Sequence, residues 1–149
     1  MNFVFLGPPG AGKGTLAAKV AVDYDIPHIS TGDIFRAAIK AQSPLGLKVK
    51  AIIDSGALVS DDLTIELVKD RLSQPDAQKG FILDGFPRTI PQAEALETFS
   101  DIDAVVNFDI ADEAVVERLS GRRVCKACGH NFHVKFMPPK VDGTCDSCG

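Results

Sequence analysis

The first fifteen residues constrain this chain more than any other part of it. Asn2-Phe-Val-Phe-Leu6 is an apolar run of aromatic and β-branched side chains that stops at Gly7, and Gly7-Pro-Pro-Gly-Ala-Gly-Lys-Gly-Thr15 separates it from a helical pattern. A buried strand that feeds a glycine loop and then a helix start is an anion cradle: glycines turn backbone N–H groups inward and the helix N-terminus adds partial positive charge. Lys13 adds a point charge for the outer phosphates, so the loop is expected to hold a nucleoside triphosphate through Gly10, Ala11, Gly12, Lys13, Gly14 and Thr15. The strict pattern places Ser or Thr directly after the lysine, whereas here Gly14 intervenes before Thr15.

Downstream, short apolar runs alternate with helical periodicity. Leu16, Ala17, Val20 and Ala21 recur at helical spacing until Asp25-Ile-Pro27, and residues 28–29 read as extended. Ser30 should cap a helix with Asp33 at its third position, and Ser43 a second with Pro44 at N1 and a stop at Ser55-Gly56. Ser60 should open a third, bearing Leu63, Leu67, Val68 and Leu72. A strand over 81–84, a helix over 91–99 and a buried strand over 104–109 are expected next, then a helix capped by Asp112 that ends near Gly121-Arg-Arg123. Nearly continuous apolar strands alternating with helices indicate an α/β fold, a parallel sheet covered by helices on both faces.

Composition closes off other classes. At 45% hydrophobic and 24% charged with a net charge of -4, the 149 residues can bury a core without disulfides and lack the basic stripe of a nucleic-acid binder. The apolar stretch of residues 3–6 is too short for a secretion signal or a membrane span. A cytoplasmic protein is expected, with neither nucleic acid nor membrane as partner.

Cysteines dominate the end of the chain. Cys125 and Cys128, then sixteen residues, then Cys145 and Cys148 form a double-knuckle spacing that suits a tetrahedral structural Zn²⁺. Two disulfides are the competing reading and iron a minor one. With four thiolates completing the site, His130 and His133 are expected to be non-ligands.

Four motifs in order then carry a resemblance: Gly-Pro-Pro-Gly-Ala-Gly-Lys-Gly-Thr at 7–15, Ser-Thr-Gly-Asp at 30–33, Asp-Gly-Phe-Pro-Arg at 84–88 and Gly-Arg-Arg at 121–123. Together they closely resemble adenylate kinase in its long-lid, zinc-bearing bacterial form. The resemblance implies a P-loop core (1–29 and 60–121), a helical monophosphate-binding insertion (30–59) and a zinc lid (122–149). It also implies reversible transfer of phosphate from MgATP to AMP. By resemblance AMP is held by Thr31, Gly32, Arg36, Arg88 and Gln92, by backbone at Gly85, Phe86 and Pro87, and by the turn Ala57, Leu58 and Val59. Asp84 and Asp33 would hold the water shell of Mg²⁺. Arg118 and Arg122, four apart, would share a face and meet the transferring phosphoryl group if the helix persists, and Asn131 and Phe132 match lid positions beside the ATP adenine. The catalytic set is then Lys13, Asp84, Arg88, Arg118 and Arg122, with no general base required because an AMP phosphate is already ionised. His28 reads as a strand-end structural residue.

Family members continue past the last cysteine into the rest of the lid, a further core strand and helices. The chain is accordingly expected to be a monomeric fragment with one unpaired sheet edge, weak or inactive alone. The remaining readings are a kinase for another monophosphate, such as UMP or CMP, and a nucleotide-binding or zinc-ribbon module without catalysis. A panel of monophosphates separates the first; binding without transfer marks the second.

Overall fold

The computed structural model describes all 149 residues, Met1–Gly149. They divide into two compact units, one of Met1–Gly7 with Gly12–Phe108, the other of Pro8–Ala11 with Asp109–Gly149.

The first unit is built on four strands, β1 (Asn2–Leu6), β2 (His28–Ser30), β3 (Phe81–Asp84) and β4 (Ala104–Asn107), in the order β2-β3-β1-β4. All neighbours are parallel, with Phe5 opposite Asp84 and Ser30 opposite Asp84. Side chains alternate across a strand, and the two faces find different partners. Phe5 and Ile82 pack with Ala17, Val20 and Ala21 of α1 (Lys13–Tyr24). Val4, Ile29 and Leu83 point the other way, into a larger cluster with Ile34, Val49, Val68, Phe86 and Leu96. These come from α2 (Thr31–Lys40), α3 (Pro44–Asp54), α4 (Asp61–Leu72) and α5 (Ile90–Phe99) and from the turn after β3. Both faces of the sheet are therefore covered, as the sequence pattern implies. Each large side chain in these layers contributes roughly 1.5–3 kcal/mol of burial.

Local signals fix the helix starts. Ser30, Ser43 and Ser60 each accept a hydrogen bond from the N–H three residues on, which satisfies one orphan donor of α2, α3 and α4. Asp25 ends α1 in the left-handed conformation at φ 53°. A 3₁₀ turn at Pro75–Ala77, not evident from the sequence, precedes β3.

Three expectations need correction. The helix over 91–99 begins at Ile90, because the Thr89 hydroxyl accepts from Gln92 N and caps it. Asp112 does not cap its helix, α6 (Asp112–Ser120): the cap position is Ala111, which offers no side-chain acceptor, and Asp112 and Glu113 act on the first turn through charge alone. Nor is the strand over 104–109 buried. It is the edge strand β4, paired only with β1, and Val105 and Val106 are 59% and 36% exposed. Apolar continuity reads the same in a central strand and in an edge strand, so the pattern could not separate them. A groove of about 390 Å³ lies beside it, lined by Val4, Leu6, Leu96, Ile102 and Val105 with Glu97 and Asp101; with no cation in its lining it is not a phosphate site.

The second unit carries α6 and a two-stranded antiparallel hairpin, β5 (Arg122–Val124) with β6 (Asn131–His133), followed by the second cysteine pair. Phe132 is its buried apolar side chain, tilted against His130 at 4.7 Å between ring centres.

Candidate active site

The glycine loop leaves β1 through Gly7, whose φ is 140°. A side chain there would start 2.8 Å from both Cβ and carbonyl oxygen of Phe108, so the position admits only glycine. The loop then enters α1 at Gly12, and no side chain caps that helix and no acid stands in its first turn. The partial positive charge of such a helix start favours an anion. Lys13 folds back and donates to the Gly7 carbonyl at 2.9 Å. In the second unit, Arg118 of α6 donates from Nη1 to the Gly10 carbonyl at 3.1 Å.

One carboxylate stands beside the start of α1 and a second in the first turn of α2. Asp84 ends β3, and its Oδ2 is 3.2 Å from His28 Nε2. The same oxygen lies 3.7 Å from where a side chain at Gly14 would begin, which puts the carboxylate beside the first turn of α1. Asp33 accepts from the Ser30 hydroxyl and from Arg36 Nη2, both at 2.6 Å. Partial burial pushes its carboxyl upward, but the Ser30 bond and the Arg36 charge together hold it below the usual carboxylate value.

A second cation site follows β3. Arg88 donates from Nε to the Gly85 carbonyl at 2.7 Å and approaches Thr31 Oγ1 to 3.4 Å with Nη2. Gly85 sits at φ 78°, and a Cβ there would meet the Arg88 guanidinium at 2.9 Å, so the turn keeps glycine for both reasons. Gln92 is buried and accepts the Arg88 N–H at 2.8 Å. Thr31, Gly85, Arg88 and Gln92 are thus brought together; Arg36, by contrast, is exposed and paired with Asp33. In the turn between α3 and α4, Leu58 is almost fully exposed while Val59 packs on the core.

Arg122 is placed otherwise than a helix continuing from Arg118 would put it. Because α6 stops at Ser120, Arg122 lies in β5, not one helical turn beyond Arg118, and donates from Nε and Nη2 to Asn131 Oδ1 at 3.0 and 2.7 Å. Phe132 is only 8% exposed, which leaves little of its ring for a base to stack on.

The four cysteines form one cluster, with all sulfurs within 4.8 Å of one another. Cys125 and Cys148 are 3.7 Å apart and Cys128 and Cys145 3.6 Å apart, far longer than a disulfide bond. A tetrahedron of metal–sulfur bonds of about 2.3 Å has edges of about 3.8 Å, so these spacings fit a four-thiolate metal site. Backbone N–H groups of Cys128 and Ala127 pull the Cys125 thiol down to about 6, while the crowding thiols of Cys128 and Cys125 push Cys148 up to about 12. Such a set ionises fully only around a cation. His133 is no ligand: Nδ1 accepts from the N–H groups of Lys135 and Phe136, and Nε2 faces the Glu117 carbonyl.

Comparison with known proteins shows the family. The family model described as adenylate kinase matches residues 5–146. An adenylate kinase of Treponema denticola is 70% identical over 99% of this chain and 71% of its own length. Those of Carboxydothermus hydrogenoformans and Methanocella arvoryzae are 56% and 55% identical, over all of this chain and 72% and 71% of theirs. The chain belongs to the adenylate kinase family. It is accordingly a nucleotide-binding phosphotransferase, a kinase on the P-loop type of parallel sheet.

For a member of the adenylate kinase family, two partners in this site were not evident from sequence. Asp61, directly after the capping Ser60, accepts from Gln92 Nε2 at 2.6 Å and from Thr89 Oγ1 at 2.9 Å. His28 touches the strand-end acid Asp84. Both contacts span more than 25 positions of chain, and no local spacing announces them.

Proposed function

We propose that this chain moves a phosphoryl group reversibly between MgATP and AMP, giving two ADP. The observation that supports the reading is two groups of residues at the ends of neighbouring parallel strands: the start of α1 with Lys13 after β1, where no side chain caps the helix, and Arg88 with Thr31 and Gln92 after β3. Open α/β sheets bind ligands at this edge. One site takes a triphosphate through residues 10–15; the other takes a monophosphate through Thr31, Gly32, Arg36, residues 85–88, Gln92 and the turn at 57–59.

The reaction asks for placement and charge compensation, since the attacking oxygen of AMP is already ionised. Lys13 and Arg88 hold the two anionic groups, and Arg118 and Arg122 compensate the charge that spreads over the transferred group. Asn131 would lie on the ATP side, with only the small exposed part of the Phe132 ring available beside it. Asp84 and Asp33 supply the oxygen donors that a hydrated Mg²⁺ favours. Bound Mg²⁺ neutralises charge on the phosphate oxygens. Cys125, Cys128, Cys145 and Cys148 would hold Zn²⁺, which orders the lid, and an ordered lid keeps water from the phosphoryl group. We place the protein in the cytoplasm as a monomer acting on free nucleotides, with neither nucleic acid nor membrane as partner; no helix is long and apolar enough to cross a membrane.

A coupled assay with ATP and a panel of monophosphates tests this. AMP should be the preferred acceptor, and Lys13→Met or Arg88→Ala should lower turnover by roughly a thousandfold or more, the scale of losing a transition-state charge partner. Equal or faster transfer to UMP or CMP would replace the reading with another monophosphate kinase, and nucleotide binding without any transfer would replace it with a binding module.

A further inference from the structure

We infer that Asp61 sets base selectivity at the monophosphate site by fixing the orientation of the Gln92 amide. The inference rests on the reading of Thr31, Arg88 and Gln92 as that site.

A primary amide has a donor end and an acceptor end of nearly equal shape, so its orientation is decided by its partners. Gln92 is anchored at both ends by groups that cannot change roles. The Arg88 backbone N–H can only donate, and it meets Oε1 at 2.8 Å. The Asp61 carboxylate accepts, and its Oδ1 meets Nε2 at 2.6 Å. Asp61 is itself held. It is the first residue of α4, where the helix start favours an anion, and its Oδ2 takes the hydroxyl hydrogen of Thr89, whose oxygen in turn caps α5. The α4 and α5 starts are thus tied through one carboxylate, with the amide clamped between it and the Arg88 backbone.

The two anchors use one of the two Nε2 hydrogens and one of the two Oε1 lone pairs, so each end keeps one for a ligand. A clamped amide therefore shows a ligand one donor and one acceptor in fixed order. Adenine presents the complementary pair, an acceptor ring nitrogen beside a donor amino group. Hypoxanthine, of the same size, presents the reverse, an acceptor oxygen beside a donor N–H. An amide free to rotate serves either base; a clamped one serves one. Removing the carboxylate leaves the Arg88 N–H as the sole anchor, so the Nε2 end turns more freely and discrimination should loosen, not vanish, without touching the phosphate contacts. Asp61 is in this sense a positioning residue that acts through Gln92.

Calorimetric titration of this chain with AMP and with IMP reads the effect without turnover. For Asp61→Leu, AMP affinity should fall about tenfold and the AMP:IMP affinity ratio by a similar factor, the scale of one well-made polar pair. Asp61→Asn, which keeps an acceptor oxygen, should recover at least half of the lost ratio on a logarithmic scale, and Asp62→Ala on the exposed neighbour should match wild type. ATP affinity should be unchanged in all three. An Asp61→Leu protein that loses AMP and IMP affinity equally, or keeps the wild-type ratio, overturns the inference. Gln92→Leu separates the levels: if it alters the AMP:IMP ratio while Asp61→Leu does not, only the clamp is wrong. If Gln92→Leu leaves AMP affinity intact, Gln92 does not belong to the monophosphate site, and the clamp falls with it.

Discussion

Asp33 is the residue whose ionisation most clearly ties folding to acidity. Its carboxyl is held below the ordinary 3.8 by the Ser30 hydroxyl and Arg36 once the upward push of partial burial is outweighed. A carboxylate with a depressed folded value stabilises the native state above its unfolded value, and that contribution disappears as pH falls through the folded one. The contribution is small because the pair is exposed to solvent. Thermal midpoints of Asp33→Asn and wild type should therefore differ by a constant above pH ~5, begin to converge as pH falls past the unfolded value of 3.8, and meet only below the lower folded value, where the carboxyl is protonated in both states. At this scale the sequence was informative where chemistry is local. The Lys13 loop and the Ser30–Asp33 pair both lie within a few residues, and spacing alone exposes them. Asp61 and His28 were opaque because their partners, Gln92 and Asp84, arrive from 31 and 56 positions away.

Elements follow the same division. The serine caps of α2, α3 and α4 could be read directly, since a hydroxyl three residues before an orphan N–H is a one-dimensional signal. Ser60→Ala should cost about 1 kcal/mol, which for a domain of this length lowers the melting midpoint by roughly 2–4 °C. Urea unfolding of that variant should show a lower midpoint with an unchanged slope. The start of α6 was misread because an acidic residue can either cap a helix or sit in its first turn, and Asp112 does the second. The shared face of Arg118 and Arg122 was conditional on the helix persisting, and that condition is not met. A four-residue interval means a shared face only while the helix lasts, and Gly121 ends it. The edge position of β4 depends on sheet order, which alternation of strand and helix leaves open.

At the scale of the whole molecule, the two compact units draw stability from different sources. The sheet unit rests on two apolar layers, whereas the second unit has Phe132 as its buried apolar side chain and a cluster of thiols. Metal removal should therefore act locally. Chelation, or Cys145→Ser, should abolish binding of one Zn²⁺ per chain and raise amide exchange across residues 122–149. The strands β1 and β3 should keep their protection. Global loss of protection under the same treatment would show that the metal holds the sheet unit as well. The parallel sheet covered on both faces and the cysteine cluster were legible at this scale because periodicity and spacing encode them.

In the first unit Lys13 donates to the Gly7 carbonyl and Arg88 to that of Gly85, and within the second unit Arg118 donates to that of Gly10. All three acceptors are uncharged. Exchanging an uncharged acceptor for a multivalent anion favours the anion whatever its origin. Sulfate or inorganic phosphate in a storage buffer is therefore a rival for these cations, and nucleotide dissociation constants measured in such buffers should come out weaker than those measured without them.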